Sequence, residues 1–384
     1  MTVKVYLVAG EASGDLLGSR LMRALKRQVN NDVVFYGVGG ETMQAEGLNS
    51  LFDIKDLSVM GFMEVIPSIP KILHHLNEII ADIKQIQPDV ILTIDSYSFS
   101  IRVHQALKKN NIDIPHAHYV APQVWAWKKG RTKTLPKWID HLFCLLPNEP
   151  AYFTPYGLPT TFVGHPVIEG GADKGDASKF RTEHNLSEQT PVLALLPGSR
   201  KNEIKTLLPL FMQTAEKLSS THPNLFVVIP TVQTVADKIT EQLKDWKVPH
   251  AVVLGEKSRY DAFAAANIAI AASGTVSLEL AMAHVPHLIA YRLNPLTATL
   301  ARFVLKIKYV NLINLLQDKP VIPELLQENC TVEKLVTTAE NLFQNPHQDV
   351  LPSLEKLGLN NAESPSEKVV TCLLKLAQRG KNDG

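Results

Sequence analysis

The stretch LALLPGSRKNEI, residues 193–204, joins an apolar run to a helical pattern through a Pro-Gly turn. An apolar run of this length fits a strand that is buried on both faces, and the turn stands where the next helix begins. Arg200 at that point has two interpretations. It is either a solvated residue at a helix start, or it holds an anion such as phosphate together with the helix N-terminus.

Outward from this stretch, short apolar runs alternate with helical patterns along most of the chain. Such alternation is typical of parallel strands covered by helices on both faces. Two apolar stripes at helical spacing mark covering helices, one at residues 76–86 and one at residues 207–218. The predicted strands are residues 5–9, 33–36, 90–94, 118–121, 142–146, 161–163, 192–196, 225–229, 251–254, 268–272 and 287–290.

The length of 384 residues predicts more than one domain. Residues 169–190, EGGADKGDASKFRTEHNLSEQT, are rich in Gly, Ala and charge and read as a connection. We place a first domain at residues 1–170, a second at 171–330, and C-terminal helices at 331–384. Those helices cap the second domain, return to the first, or exchange with another subunit. The expected fold class is α/β, with two doubly wound, Rossmann-like domains facing a cleft.

The composition is that of a soluble globular protein, with 45% apolar residues, 20% charged residues and a net charge of +1. A charge this small gives no field that favours nucleic acid, so no nucleic-acid partner is expected. Three cysteines without a CxxC pair argue against a disulfide framework or a zinc site. Without a signal peptide pattern or an apolar stretch of about 18 residues, we expect a cytoplasmic protein.

Two strand ends of the first domain carry acids. GEASGD, residues 10–15, follows the first strand, and its Glu11 and Asp15 are either helix-start acids or part of a site. Its glycine spacing is not GxGxxG, which weakens the case for a nicotinamide cofactor. Asp95 ends the apolar run 90–94, where it either caps the next helix or faces the cleft as a general base.

Two further segments of the first domain are apolar or aromatic. Residues 57–73, LSVMGFMEVIPSIPKIL, hold more apolar surface than one helix face buries, and Glu64, Pro67 and Pro70 interrupt them. Such a segment fits a hydrophobic groove, a membrane-dipping segment or ordinary core packing. HYVAPQVWAW, residues 118–127, is followed by a basic stretch. This combination fits a membrane interface, a platform for a sugar, or a core tryptophan before a solvated loop. The candidate contact residues of these segments, which the family resemblance described below makes acceptor- and lipid-binding, are Met60, Phe62, Val65, Ile69, His118, Trp125 and Trp127.

In the second domain, Ser273-Gly274-Thr275 stands at another strand end and opens a helix. Small residues there leave backbone N–H groups for a phosphate. Glu279 shares a helix face with Thr275 and could accept both hydroxyls of a ribose. With Arg200, this arrangement suits a nucleotide diphosphate sugar. The chain has no DxD pair, HExxH or Walker GK[ST], so we expect neither a metal nor a cofactor.

Taken together, these motifs resemble the lipid-A-disaccharide synthase family over nearly the whole chain. The matching motifs are GEASGD, IDSYSF, HYVAPQVWAW, GHP, LLPGSRKNE, ASGTVSLE and YVNLINLL, in the family's order. The resemblance implies a GT-B fold and an inverting transfer from UDP-2,3-diacylglucosamine to 2,3-diacylglucosamine 1-phosphate. The products are a β-linked disaccharide phosphate and UDP. The lipid substrates imply peripheral attachment to the anionic inner membrane of a Gram-negative cell; a homodimer is an open possibility.

The resemblance also assigns roles by position. Asp95 matches the acid that activates the acceptor's 6-hydroxyl, although Ser96-Tyr97 stands where the family often has Ala-Pro. The remaining matches are Arg200 and Glu203 of the PGSR loop, Glu279 as the donor-holding acid, and Glu11 and Asn314 as polar residues lining the cleft.

Three alternatives stay open at this point. One is another GT-B enzyme acting on UDP-N-acetylglucosamine, either an epimerase or a peptidoglycan glycosyltransferase. A second is a non-catalytic protein that binds nucleotide sugars or lipids, which needs no acid at Asp95. The third is an NAD oxidoreductase, against which the missing glycine fingerprint counts.

Overall fold

The computed structural model describes residues 2–57, 65–124, 130–272, 274–292 and 308–382. The chain divides into two compact units. Unit 1 is Met1–Pro166 with Asn360–Gly384, and unit 2 is Val167–Leu359. The chain therefore changes unit between Pro166 and Val167, and again at Asn360, inside the segment that the sequence analysis treats as one set of C-terminal helices.

In unit 1, the described strands form one parallel sheet in the order β2-β1-β3-β4-β5-β6. Ala9, the last residue of β1, is the register partner of Ile94, the last residue of β3. The strands are β1 (Val3–Ala9), β2 (Val33–Val38), β3 (Val90–Ile94), β4 (His116–Tyr119), β5 (His141–Cys144) and β6 (Thr160–Phe162).

Helices cover both faces of this sheet because alternate residues of its buried strands are apolar on each side. Val5 and Leu7 pack toward Leu21 and Leu25 of the first helix, whereas Tyr6 and Val8 pack toward the opposite face. The helices are α1 (Ala12–Gln28), α2 (Glu41–Ala45), α3 (Val65–Ile86), α4 (Tyr97–Lys109), α5 (Arg131–Thr134) and α6 (Pro150–Phe153).

In unit 2, the described strands form a second parallel sheet, in the order β12-β11-β10-β7-β8-β9. Its strands are β7 (Val192–Leu196), β8 (Phe226–Thr231), β9 (His250–Leu254), β10 (Ile268–Ala271), β11 (His287–Tyr291) and β12 (Glu324–Leu326). The helices that follow along the chain are α7 (Ala177–Glu183), α8 (Lys201–Thr221), α9 (Gln233–Leu243), α10 (Glu256–Ala265), α11 (Val276–Met282), α12 (Leu312–Gln317), α13 (Val332–Gln344), α14 (Leu351–Lys356) and, in unit 1, α15 (Pro365–Asn382).

The predicted pattern of strands is confirmed, and two doubly wound α/β sheets carry the fold. The predicted runs 90–94 and 192–196 coincide with β3 and β7. Strand β12 escaped prediction, because its three half-buried residues give no apolar run. Residues 65–73 are helical despite Pro67 and Pro70, since α3 begins at Val65 and Pro67 falls where helix N–H groups lack a partner in any case.

The predicted segment 331–384 is divided between the units. Helices α13 and α14 belong to unit 2. Helix α15 belongs to unit 1, where Val369, Val370 and Leu373 are buried in the same core as Leu7 and Leu25. This apolar face explains why the chain returns to the first sheet. Among the described residues, no helix combines the length and the apolar character needed to cross a membrane.

Each sheet has a point where the strand order reverses, and in open α/β sheets ligands bind at the strand ends there. In unit 1 it lies between β1 and β3, and in unit 2 between β7 and β10. The loops that follow these four strands carry GEASGD, Asp95, PGSR and Gly274-Thr275. The topology therefore places the predicted motifs pairwise at the expected binding edges.

Candidate active site

Asp95 lies directly after β3 and is partly exposed. Its backbone has φ +55° and that of Ser96 has φ +40°, both in the left-handed region. One carboxylate oxygen accepts the backbone N–H of Ser96 at 2.9 Å, and the other accepts the hydroxyl of Ser13 at 2.6 Å. The Asp95 N–H donates to the carbonyl of Tyr119 at 2.9 Å. This acid is thus held at the switch point by α1, β4 and its own turn.

Backbone strain gathers at this edge of the sheet. Val120, which follows β4, has φ +85°, an unusual value for a β-branched residue. Together with Asp95 and Ser96, it places strained residues at the ends of two adjacent strands. Such conformations cost of order 1–3 kcal/mol each and cluster at functional sites. Strain therefore marks the β3–β4 edge independently of the sequence motifs.

The acids of GEASGD have different roles. The Asp15 carboxylate is 6% exposed and accepts the backbone N–H groups of Gly40, Thr42 and Met43 at 2.8 to 3.0 Å. It therefore has a structural role, although it caps α2 and not the helix at whose start it lies. Glu11 is exposed at the start of α1, where its side chain does not cap the helix.

His118 is 1% exposed, and its predicted contact with the lipid acceptor stays a prediction. Its Nδ1 and the Nε2 of His104 each lie 2.7 Å from the Thr93 hydroxyl. Burial lowers the pKa of His118 to about 4, which leaves the ring neutral. The motif HYVAPQVWAW did not predict that its first residue is buried, because a histidine in a strand can lie on a buried or on an exposed face.

In unit 2, the PGSR turn is organised by Glu203. One carboxylate oxygen accepts the backbone N–H groups of Ser199 and Arg200 at 3.1 and 3.2 Å. The other accepts the Arg200 guanidinium and the hydroxyl of Tyr291, each at 3.2 Å. The Arg200 side chain is 70% exposed, so most of its fork remains accessible. Gly198 has φ +106°, and a Cβ there would lie 2.3 Å from Glu203 Oε2.

Strand β10 lies next to β7 in the sheet, so the loop after β10 comes beside the PGSR turn. In this loop, Gly274 (φ +140°) and Thr275 are exposed before α11 begins. Glu279 on α11 accepts the Arg259 guanidinium at 3.0 Å and the Tyr260 hydroxyl at 3.5 Å through one oxygen. Burial and then Glu279 raise the pKa of Tyr260 to about 12, so its hydroxyl stays a donor. Tyr260 also lines a cavity of about 540 Å³ in unit 2.

Asn314 is fully buried, and its predicted place in the lining of the cleft stays a prediction. Its carboxamide accepts the Ile322 N–H at 2.8 Å and donates to the Ile322 carbonyl at 2.7 Å. It also donates to Glu324 at 2.8 Å, and Glu324 in turn accepts the N–H of Asn311. These hydrogen bonds of Asn314 hold the YVNLINLL segment in its folded conformation.

Several predicted residues fall where the structure gives no description. Val65 and Ile69 lie in α3, but their side chains are outside what is described. Met60, Phe62, Trp125, Trp127 and Ser273 lie outside the described residues. In the described ranges, no group of three or more His, Cys, Asp and Glu side chains is arranged to hold a metal ion.

Comparison with known families decides among the alternatives. The family model described as lipid-A-disaccharide synthetase matches residues 5–367. The chain belongs to the lipid-A-disaccharide synthase family. It is 48% identical to the lipid-A-disaccharide synthase of Paramagnetospirillum magneticum, over 98% of both chains. It is 39% identical to the probable mitochondrial lipid-A-disaccharide synthase of Arabidopsis thaliana, over 89% of this chain and 79% of that one.

Solved structures agree with the fold. The UDP-GlcNAc 2-epimerase of Neisseria meningitidis, bound to UDP-GlcNAc, matches with a TM-score of 0.65 at 13% identity, over 97% of this chain and 100% of that chain. The glycotransferase of kitacinnamycin matches with a TM-score of 0.64 at 14% identity, over 98% and 100%. These similarities establish the GT-B type of fold, whereas the family establishes the activity. This family member is therefore a glycosyltransferase, not an epimerase or an oxidoreductase.

Sequence reasoning missed several residues around the two strand edges of this glycosyltransferase. Ser13 sits inside a recognised motif, and only its contact with Asp95 singles it out. Arg131 stacks on the Tyr97 ring with its guanidinium 4.4 Å from the centroid, near the Asp95 turn. Tyr291 and Arg259 come from other strands and helices of unit 2, so no local spacing could connect them with Glu203 or Glu279.

Proposed function

We propose that this chain transfers 2,3-diacylglucosamine from UDP-2,3-diacylglucosamine to 2,3-diacylglucosamine 1-phosphate with inversion. The products are lipid A disaccharide 1-phosphate and UDP. The observation that carries the proposal is the oriented Asp95 carboxylate at the switch point of a sheet in a member of this family. An acceptor hydroxyl needs a base at such a point, whereas a binding protein does not.

The proposed chemistry uses the side chains of Asp95 and Arg200. Asp95 takes the proton of the acceptor's 6-hydroxyl as that oxygen attacks the anomeric carbon of the donor. The bond from that carbon to the UDP oxygen breaks on the opposite face, so the configuration inverts. Arg200 donates to the departing diphosphate through the part of its fork that Glu203 leaves accessible. Charge grows on the leaving group in the transition state, where such donors act most strongly.

In this proposal unit 1 receives the acceptor and unit 2 receives the donor. Gly274 and Thr275 approach the diphosphate of the donor, and Glu279 accepts the ribose hydroxyls. Arg259 and Tyr260 orient the Glu279 carboxylate, because both donate a hydrogen bond to the same one of its oxygens. Glu11, an exposed acid that follows Gly10 where this glycine packs against Ser96, lines the acceptor side.

We also propose that the protein attaches peripherally to the anionic cytoplasmic face of the inner membrane. The lipid substrates reside in that membrane, and residues 57–73 with 125–137 supply apolar, aromatic and basic side chains. Leu73, on the described part of α3, is 48% exposed, as a residue facing acyl chains requires. The predicted homodimer stays a prediction.

The test is incubation of the purified chain with both lipid substrates, with UDP and the disaccharide phosphate measured separately. Equal amounts of UDP and β-linked disaccharide are expected. A parallel reaction with UDP-N-acetylglucosamine as the donor is expected to give neither product nor an epimerised nucleotide sugar. Release of UDP without disaccharide, or reaction only with UDP-N-acetylglucosamine, would contradict the proposed substrates.

A further inference from the structure

The GEASGD segment packs against the Asp95 turn along its length. A Cβ at Gly10 would lie 2.6 Å from the Cβ of Ser96, and a Cβ at Gly14 would lie 2.9 Å from the carbonyl oxygen of Ile94. Real Cβ atoms do not approach this closely, so both glycines are needed for this packing. The two glycines bracket Ser13, which their packing brings against Asp95.

The Ser13 hydroxyl makes the shorter of the two hydrogen bonds to the Asp95 carboxylate, at 2.6 Å against 2.9 Å for the Ser96 N–H. The donors come from two different elements, α1 and the turn before α4. Hydrogen bonds at both oxygens restrict rotation of the carboxylate about its Cβ–Cγ bond. Each oxygen can accept more than one hydrogen bond, so room remains for an acceptor hydroxyl. The N-terminus of α1 adds a partial positive charge beside the Asp95 side chain.

We infer that Ser13 is a positioning residue, whose hydroxyl fixes the carboxylate of Asp95 in the orientation that receives the proton of the acceptor. This inference rests on the proposed role of Asp95 as the base. It gives the serine of GEASGD a function in orienting the acid at the end of the neighbouring strand. Ser13 acts through Asp95 and itself touches no reacting atom.

The test is steady-state kinetics of the full-length Ser13→Ala variant with both lipid substrates. We expect kcat to fall by about 10- to 100-fold, the effect of a misplaced reacting group, with little change in either KM. Ser13→Thr, which keeps the hydroxyl, should recover most of the rate. Because Ser13 is exposed, the melting temperature of both variants should stay close to that of the parent.

A double variant separates positioning from an independent role. In an Asp95→Asn background, Ser13→Ala should cause no further loss, because the group that it positions is no longer a base. The matched control is Ser19→Ala on the same helix, where the hydroxyl donates to the Leu16 carbonyl at 2.9 Å, away from Asp95. Its kcat should equal that of the parent.

The outcomes distinguish this inference from the proposed function. If Asp95→Asn is inactive while Ser13→Ala keeps the parent kcat, Asp95 remains the base and the role of Ser13 is refuted. A raised KM at constant kcat would make Ser13 a substrate contact, and additional loss in the double variant would make it independent of Asp95; either result overturns the inference. If Asp95→Asn is active, the proposed base itself is wrong and Ser13 has nothing to position.

Discussion

The guanidinium of Arg200 donates to the carboxylate of Glu203 at 3.2 Å, and that same carboxylate accepts the backbone N–H of Arg200. One acid therefore fixes both ends of the arginine, the backbone and the side chain. The Pro-Gly turn makes this possible, because a side chain at Gly198 would occupy the position of the Glu203 carboxylate. The fold delivers an exposed cation at the switch point of the second sheet, where the leaving diphosphate is expected.

Arg200→Ala is expected to lower kcat by about 10²–10³-fold, the cost of one donor to a developing oxyanion. Arg200→Lys should recover only part of the rate, because a point charge does not replace a two-pronged fork. Melting should hardly change, since the side chain is 70% exposed. Lys205→Ala, an exposed cation on the same helix, serves as the control with parent kinetics. Full activity in Arg200→Ala would return this residue to a purely structural role.

Asp95→Asn keeps the size of the side chain and removes its basicity, so turnover should fall by about 10²–10⁴-fold while substrate binding changes little. Rates and equilibrium binding of the acceptor measure the two effects separately. Asp113→Asn alters an exposed acid before β4, at the opposite edge of the same sheet, and should behave as the parent. Near-normal turnover in Asp95→Asn would direct the search for the base to Glu11.

Membrane attachment predicts that the protein sediments with anionic vesicles at low salt and is partly released at high salt. Each basic residue near an anionic surface contributes about 1 kcal/mol, and only this electrostatic part is screened by salt. Replacing Trp125 and Trp127 by alanine should weaken sedimentation at both salt concentrations. Zwitterionic vesicles provide the control. Protein that stays in the supernatant with anionic vesicles at low salt would contradict the attachment.

Glu149 predicts a pH-dependent stability. Burial raises the pKa of its carboxyl from 4.5 to about 7, although two backbone N–H groups donate to it. Folding therefore favours the protonated form, so its contribution to stability is complete below pH 4.5 and is lost as the pH rises through 7. Between pH 5 and 8 the parent should lose about 3 kcal/mol relative to Glu149→Gln, which stays neutral and keeps an acceptor oxygen.

Urea unfolding at several pH values in that window measures this difference. Glu241→Gln, which replaces an exposed acid on α9, should leave the pH dependence of the parent unchanged. Parallel stability curves for the parent and Glu149→Gln would show that the raised pKa has no such effect.

Asn314→Ala should destabilise the protein by about 2–4 kcal/mol, because it leaves the Ile322 peptide groups and a Glu324 oxygen without this partner. The KM for the donor should not change in the protein that remains folded, since Asn314 is buried. Exposed Asn341→Ala on α13 should change stability by about 0.5 kcal/mol at most. A large rise in the KM of Asn314→Ala for the donor, at an unchanged melting temperature, would show that Asn314 contacts the donor.

The sequence by itself determined the doubly wound fold, because buried parallel strands must be continuously apolar whatever the details of packing. That is why the predicted runs at 90–94 and 192–196 coincide with β3 and β7. It also determined the position of Asp95 and Arg200 at strand ends, since a polar residue that closes an apolar run must lie at the edge of the sheet. The resemblance of its motifs to those of the family indicated the reaction.

Only the tertiary structure decided which polar residues stay exposed at the strand ends and which are buried within the fold. Asp15, His118 and Asn314 sit in motifs as suggestive as those of Asp95, yet each is buried and bound to protein groups. Ser13 and Asp95 are 82 positions apart and meet through two glycines. Sequence spacing fixes neighbours along one helix or strand, whereas hydrogen bonds between elements depend on how close two backbones pack, and this closeness is set by the whole core.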